Sequence, residues 1–251
     1  MKILLYNACY CIGFKEPRKS QYEKLWKYIY SGTSTLVDLI ELVKQENPDV
    51  LALTEIDSGS IRARLVNQPL SIANECGFGS VFYKKKYGPA LIKGAFPIFA
   101  HQCNAILAKK PDVKFDFGFF EATGDLAAKN LYLQCAIHPK IDLFVLHLPL
   151  DSPGRANQLK ELARILKGRD REVIVSGDFN IFEGHSEIEY LMKECRLESV
   201  NIGRVPTYPS WKPEKEIDLI LKTPGIKIKK FEVLDVHLSD HLPLIADIDI
   251  L

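Results

Sequence analysis

Six times along this chain, an apolar run of strand length meets a carboxylate, an amide or an imidazole at one end. That recurrence constrains the fold more than any single motif. Asn7 closes the run that starts at Lys2, Glu55 closes 49–54, and His147 closes 143–146. Asp178 and Asn180 follow 173–176, Asp218 lies in Glu216-Ile217-Asp218-Leu219, and Asp240-His241 precedes the last apolar run. Chance would scatter polar side chains more evenly. Residues at strand ends collect along one edge of a sheet, on the loops where function concentrates.

The rest of the pattern supplies strands and helices in alternation. Leu36, Leu39, Ile40 and Val43 recur at helical spacing after a cap at Ser34 or Thr35, and Asn47-Pro48 stops the helix. A second helix is expected over 65–76, a third opened by Pro153-Gly154, and a fourth over 186–195. Strands are expected at 80–83, 102–108, 113–120, 130–138, 141–148, 173–176, 216–221, 226–236 and 243–249. Strand-helix-strand units near each end predict an α/β fold of two sheets packed face to face with helices outside. Segments 12–32 and 85–101 fit neither period, and substrate identity is expected to lie in these loops.

Composition narrows the function. The residues are 47% hydrophobic and 26% charged, enough apolar content for one sizeable core. A net charge of +1 leaves no global basic field of the kind that grips many nucleic-acid phosphates. No apolar run reaches membrane-spanning length, and the opening residues read as a strand, not a signal peptide. Six scattered cysteines, with Cys9-Tyr10-Cys11 lacking a second pair, suit reduced thiols in the cytoplasm and not a zinc site.

The strand-end residues suit phosphate chemistry. A phosphodiester repels hydroxide, and a hard cation held by oxygen ligands offsets that charge. Glu55, Asp178, Asn180 and Asp240 offer such oxygens, matching magnesium or manganese better than zinc. His241 can hold a phosphate oxygen, with Asp218 orienting its ring and favouring the imidazolium. His147 can stabilise developing charge or protonate the leaving oxygen.

Eight motifs in order carry a family resemblance: Leu5-Tyr6-Asn7; Leu53-Thr54-Glu55; Asn104-Ala105-Ile106-Leu107; His147-Leu148 with Arg155 and Gln158; Gly177-Asp178-Phe179-Asn180; Thr207-Tyr208-Pro209-Ser210; Ile217-Asp218; and Ser239-Asp240-His241-Leu242-Pro243. Together they resemble the endonuclease/exonuclease/phosphatase superfamily, the fold of DNase I, abasic-site endonucleases and bacterial sphingomyelinases. The resemblance implies a single domain over 1–251, built as a four-layer α/β/β/α sandwich of two mostly antiparallel mixed sheets. It implies divalent-metal-dependent hydrolysis of a phosphodiester by an activated water. Asn7, Glu55, Asp178, Asn180 and Asp240 would serve the metal. Asp178, Asn180, His241, Asp218 and His147 would serve catalysis. Asp57, a following Arg62 and Gln68 resemble the metal-dependent hydrolases related to sphingomyelinases. Thr54, where Gln is usual, and Cys103, where Gly is common, depart from the pattern.

Other residues have blander readings. Arg62 could clamp a phosphate bidentately, joining His147 and Asn180 as a substrate contact. Lys84-Lys85-Lys86 could grip phosphates, but a charge run is usually a solvated face. Trp26, Trp211, Tyr208 and Phe182 could wall the cleft, with core packing as the default. The expected substrate is a small-molecule or lipid-derived phosphate ester. A nuclease would need a basic groove, for which the lysine run is the strong candidate. A non-catalytic binding module would show a lost ligand, and none is lost.

Overall fold

The computed structural model describes residues 1–13, 33–86, 100–121, 130–201 and 205–250. The expected loops at 14–32 and 87–99, with Trp26, lie outside the described residues. One sheet is built from β1 (Lys2–Asn7), β2 (Val50–Asp57), β3 (Ser80–Lys85), β4 (Gln102–Ala108), β11 (Ile226–Val233) and β12 (Leu244–Ile250). Its order is β11-β12-β1-β2-β4-β3. The other is built from β5 (Phe115–Phe119), β6 (Leu131–His138), β7 (Ile141–His147), β8 (Glu172–Asp178), β9 (Glu198–Ser199) and β10 (Asp218–Lys222), in the order β5-β6-β7-β8-β10-β9. Among the described residues, four α-helices follow in chain order: α1 (Thr33–Glu46), α2 (Gln68–Cys76), α3 (Ser152–Leu166) and α4 (Glu189–Cys195). None of the described helices is long and apolar enough to cross a membrane.

Only β1–β2 and β7–β8 pair in parallel among the described strands. A parallel pair needs a crossover, and α1 and α3 lie in those two connections. Period-two alternation then sorts each strand into layers. Leu4, Leu51, Leu53, Ala105 and Leu107 face α1 and α2 through Leu39, Val43 and Ile72. Phe144, Leu146, Val175, Leu219 and Leu221 face α3 and α4 through Leu159, Leu162 and Leu191. Between the sheets Ile3, Leu5, Val50, Ala52 and Ile106 meet Leu133, Leu143, Val145, Ile174 and Ile220. This is the four-layer α/β/β/α sandwich expected from the sequence.

Helix ends follow their residues. Asn47 takes a left-handed φ of 43° after α1, and Pro48 prevents continuation. The helix expected from 65 starts later, because Arg64 and Leu65 are left-handed (φ 52° and 62°) and Asn67 caps the Leu70 N–H at 3.2 Å. Gly77, at φ 68°, ends it. Asp151 caps α3 by accepting from Gly154 N–H at 2.8 Å. Edge strand β11 carries Lys227, Lys229 and Lys230 outward, and Lys229 pairs with Asp249. Lysines on an edge discourage pairing with another chain.

One glycine is required by close approach. Gly177 has φ 149°, and a Cβ there would fall 1.9 Å from the Leu146 carbonyl oxygen on neighbouring β7. Gly168 is also left-handed, at φ 79°, but a Cβ there meets nothing within 4 Å. Gly168→Ala is therefore expected to cost about 1–2 kcal/mol of backbone strain alone. Gly177→Ala should exceed about 3 kcal/mol, since overpacking adds to that strain. Urea unfolding of the two variants checks the difference, and equal losses would contradict it.

Candidate active site

Register brings the strand-end residues together. His147, Asp178 and Asp218 are direct cross-strand partners on β7, β8 and β10. They extend the inward-facing sets Leu143-Val145-His147, Ile174-Ser176-Asp178 and Asp218-Ile220, so all three face the opposite sheet. On that sheet Asn7 continues the inward set Ile3-Leu5. Its Nδ2 donates to Asp178 Oδ2 at 2.9 Å across the interior. Its Oδ1 accepts from Cys9 N–H at 3.1 Å, so both ends of the amide are engaged. Asn7, expected beside a metal, thus acts in the structure as a bridge between the sheets.

Glu55 reaches the same place through a bulge. Simple alternation from Leu51 and Leu53 would turn it toward the helices. Instead the β2–β4 register shifts between Leu53 and Ile56, Glu55 adopts φ 51°, and Ile56 takes the helix-facing position. A β-bulge re-aims a side chain in this way. The Glu55 N–H donates at 3.4 Å to Oδ1 of Asn104 on β4. Strand β2 therefore runs on to Asp57, past the end at Glu55 expected from sequence.

A second layer fixes the Glu55 carboxylate. Cys9, Tyr10 and Cys11 form a turn with three successive left-handed residues (φ 41°, 53° and 56°). Such residues cost about 1–2 kcal/mol each. The turn places Tyr10 Oη 3.2 Å from Glu55 Oε1, and Gln68 Nε2 donates to the Tyr10 carbonyl at 3.3 Å. Arg62 lies against the Tyr10 ring, 4.2 Å from its centroid, and donates to Asp57 Oδ2 at 2.8 Å. Asp57 also accepts from Ser60 N–H and Oγ–H. Arg62 and Asp57 are both fully buried. This corrects the expectation that Arg62 clamps a substrate phosphate: its side chain is fully buried, pairs with Asp57, and among the described residues meets the site through Tyr10.

His241 sits between two acids. Its Nδ1 lies 2.8 Å from Asp218 Oδ2, and its Nε2 lies 3.7 Å from Asp178 Oδ2. Thr207 Oγ1 also donates to Asp218 Oδ2, at 2.6 Å. Burial alone would lower the basicity of His241, but Asp218 and Asp178 together carry it up to about 10. Burial pushes the Asp178 carboxyl up to about 7; His241 opposes this and Asp218 adds to it. Asp178 Oδ1 accepts from Asn180 N–H at 3.0 Å. Asn180, left-handed at φ 51°, donates its amide nitrogen to the Leu148 carbonyl at 2.8 Å, which leaves the amide oxygen for a ligand. Asp240 is half-buried, and its Oδ1 accepts from Ser239 Oγ–H at 3.2 Å. Tyr208 packs on the His241 ring at 5.0 Å between centroids, with Phe182 edge-on behind it. These two aromatics line the site as well as filling space.

His147 completes the group, with its Nε2 3.7 Å from Asp178 Oδ2. Burial, then the charges of Lys86 and His241, hold its basicity well below the ordinary histidine value. A neutral ring stabilises charge by donating a hydrogen bond; it is not a proton reservoir. The neighbour that sets this is Lys86, which the sequence offered as one of three lysines that could grip phosphates but read by default as a solvated face. Lys86 Nζ lies 2.9 Å from His147 Nδ1 and 3.9 Å from Glu55 Oε1. Alternation carried the signal, since Phe82 faces inward on β3 and Lys84 and Lys86 follow on that side. Lys84 instead covers the Phe117 ring at 3.8 Å, and Lys85 is exposed. The three lysines are therefore not one basic patch.

The donor set fits a hard cation. Asp178, Asp218 and His241 lie with ligand atoms within 4.8 Å of one another, but a His241 held protonated by Asp218 cannot ligate. The oxygens left to a cation are therefore those of Asp178 and of Glu55, which faces it across His147. The raised Asp178 shows a buried carboxylate short of positive charge.

A buried acid–imidazole–acid row thus faces a bulged glutamate between the two packed sheets of an α/β sandwich. The chain matches the Endonuclease/Exonuclease/phosphatase family over residues 29–241 and belongs to that family. No curated protein sequence matches it. Among solved structures it is similar to an endonuclease/exonuclease/phosphatase from Beutenbergia cavernae, with a TM-score of 0.73, 19% identity, and coverage of 99% of this chain and 71% of that one. The human Nocturnin catalytic domain with bound sulfate gives a TM-score of 0.71 at 16% identity, covering 100% and 93%. A mannosyl-6-phosphatase from Bacteroides thetaiotaomicron gives 0.65 at 14% identity, covering 99% of both chains. At these identities the likeness establishes the fold.

Two predictions follow from the charges. Arg62→Ala leaves Asp57 buried and unpaired, so thermal or urea unfolding should show a loss of about 3–5 kcal/mol. A residue that merely touched substrate would leave stability unchanged. The raised His241 contributes stability that is complete below its ordinary value of 6.5 and is lost as pH climbs through about 10. Asp218→Asn removes the foremost cause of that rise. An NMR titration of metal-free protein should then find His241 deprotonating at lower pH than in wild type, and an unmoved midpoint would refute the assignment.

Proposed function

We propose that this chain is a divalent-metal-dependent phosphoesterase that hydrolyses a phosphodiester in a small-molecule or lipid-derived substrate. The observation that carries the reading is the row Asp218–His241–Asp178, buried and facing Glu55. Glu55 and Asp178, with the amide oxygen of Asn180 and with Asp240 at the rim, are the residues that would hold magnesium or manganese. Such a cation, when bound, offsets phosphate charge and makes water more acidic.

The chain's own groups divide the remaining work. Asp178 orients the attacking water and takes its proton. His241 is a fixed imidazolium, held by Asp218, that donates to a non-bridging phosphate oxygen. His147 is neutral and donates a hydrogen bond to the oxygen where charge develops. Asn7 keeps Asp178 in place and acts as a positioning residue. Tyr208 and Phe182 give the site an apolar wall on the His241 side.

Several observations bear on the substrate. A net charge of +1 and a divided lysine run supply no continuous basic groove among the described residues. This supports a compact phosphate ester over a nucleic-acid strand. Nocturnin binds sulfate and the Bacteroides enzyme is a mannosyl-6-phosphatase, so on the same fold other proteins accept a tetrahedral oxyanion group. Asp57, Arg62 and Gln68, which brace Tyr10 and Glu55, support the proposed resemblance to the sphingomyelinase-related hydrolases. Both sheets share one core, which supports a single domain over 1–251.

The test uses bis(4-nitrophenyl) phosphate. Chelated protein should be inactive, and magnesium or manganese should restore turnover. Asp178→Ala and His241→Ala should each lower kcat by about 10²–10⁴-fold while the protein stays folded by circular dichroism. A panel of phosphomonoesters, phospholipids, plasmid and abasic duplex then ranks the substrate classes. If metal-loaded wild type cleaves no phosphate ester, the reading fails; preferential plasmid or abasic nicking would make it a nuclease.

A further inference from the structure

The Lys86 ammonium is buried, with the residue only 8% exposed. Its hydrogen bond at 2.9 Å goes to the Nδ1 of His147, a ring nitrogen and not an anion. Its closest carboxylate oxygen among the described residues, Glu55 Oε1, stands at 3.9 Å, beyond hydrogen-bond reach. An ammonium has three donors, and His147 uses one of them. Burying such a charge without a hydrogen-bonded anion costs several kcal/mol. Among the described residues no carboxylate oxygen lies within hydrogen-bond reach of the ammonium. The more distant Glu55 and the Tyr10 ring, with its centroid 6.0 Å away, stand near it, so an anion arriving in the gap would meet a buried cation with donors to spare. Inward alternation along β3 aims Lys86 at the gap where Glu55, His147 and Asp178 converge.

We propose that Lys86 is a substrate-binding residue: its ammonium takes a non-bridging oxygen of the phosphoryl group while locking His147 with the proton on Nε2. Lysine serves phosphate well as a compact point charge. The lock follows from donor accounting. An ammonium can only donate, so Nδ1 must accept, and the single ring proton of neutral His147 lies on Nε2. That nitrogen is the one facing Asp178, 3.7 Å from its Oδ2. One lysine thereby supplies a positive contact and makes its neighbour a donor on the phosphate side. No proton is transferred in this role, and no bond is made or broken by Lys86.

The inference rests on the phosphoesterase reading, and the experiment separates the two. Inorganic phosphate is titrated calorimetrically into magnesium-loaded wild type, Lys86→Met and Lys86→Arg, with magnesium affinity measured on each. Lys86→Met should weaken phosphate binding at least tenfold without weakening magnesium binding, and Lys86→Arg should recover part of the loss. Phosphate affinity within twofold of wild type in Lys86→Met would overturn the inference, as would an effect confined to magnesium, which would make Lys86 a counter-ion of Glu55 alone. If wild type neither binds phosphate nor cleaves any phosphate ester, both readings fall together. A measurement on wild type alone covers the case of a variant that does not fold. The ¹⁵N shifts of the His147 ring should report the Nε2–H tautomer, and an Nδ1–H tautomer would overturn the lock.

Discussion

The hydrogen bond from Asn7 Nδ2 to Asp178 Oδ2 joins the two sheets at the point where their chemistry meets. Its partners are 171 residues apart, so it forms only when both halves have packed. Its energy is modest, about 1.5–3 kcal/mol for a bond to a charged acceptor. Its geometric consequence is larger. A buried carboxylate without partners would take up a proton or swing toward solvent. Held by Asn7 on one side and the Asn180 N–H on the other, Asp178 stays where His147 and Asp218 flank it in register. The apolar layer between the sheets brings these edges together, and the polar edge fixes how they meet.

Around Asp178 the interior is organised by charge. Arg62 and Asp57 neutralise one another and contribute no net field, so their task is mechanical: they hold the Tyr10 ring, whose hydroxyl meets Glu55. The strained left-handed turn at Cys9–Cys11 and the bulge at Glu55 serve the same end. Strain of this kind persists only where surrounding structure over-determines it. Here Gln68, Asn104 and the buried ion pair do so, each through a hydrogen bond to the strained backbone or beneath the ring that it carries.

The strand-end pattern made the site legible in the sequence because β-structure converts position into direction with a period of two. Asn7, His147, Asp178 and Asp218 were found for that reason. The sandwich was legible too, since alternating apolar runs must bury two faces. Arg62 was misplaced because burial is a tertiary property: Tyr10 covers its guanidinium, and nothing local marks that. Asn104 belonged to a recognised motif, yet its task depends on a bulge at a glutamate, where no glycine announces a left-handed residue. Lys86 was hidden by its neighbours. Three lysines in a row read as a solvated face, although the strand's period sends the first and third inward.

The balance of charge explains why overall composition said so little about the site. The net charge of +1 is a surface average, whereas catalysis answers to groups within a few ångströms. Taken as ionised, Glu55, Asp178, Asp218 and Asp240 carry four negative charges, and Lys86 with protonated His241 returns two. The surplus equals the charge of one divalent cation. Burial pushes Asp178 up to about 7, while Asp218 and Asp178 carry His241 up to about 10. On the proposed phosphoesterase reading, a phosphate entering a cation-neutralised site would add negative charge again, and the groups facing it would be His241 and Lys86. A cation bound before the phosphate would then keep the buried charge smallest at each stage.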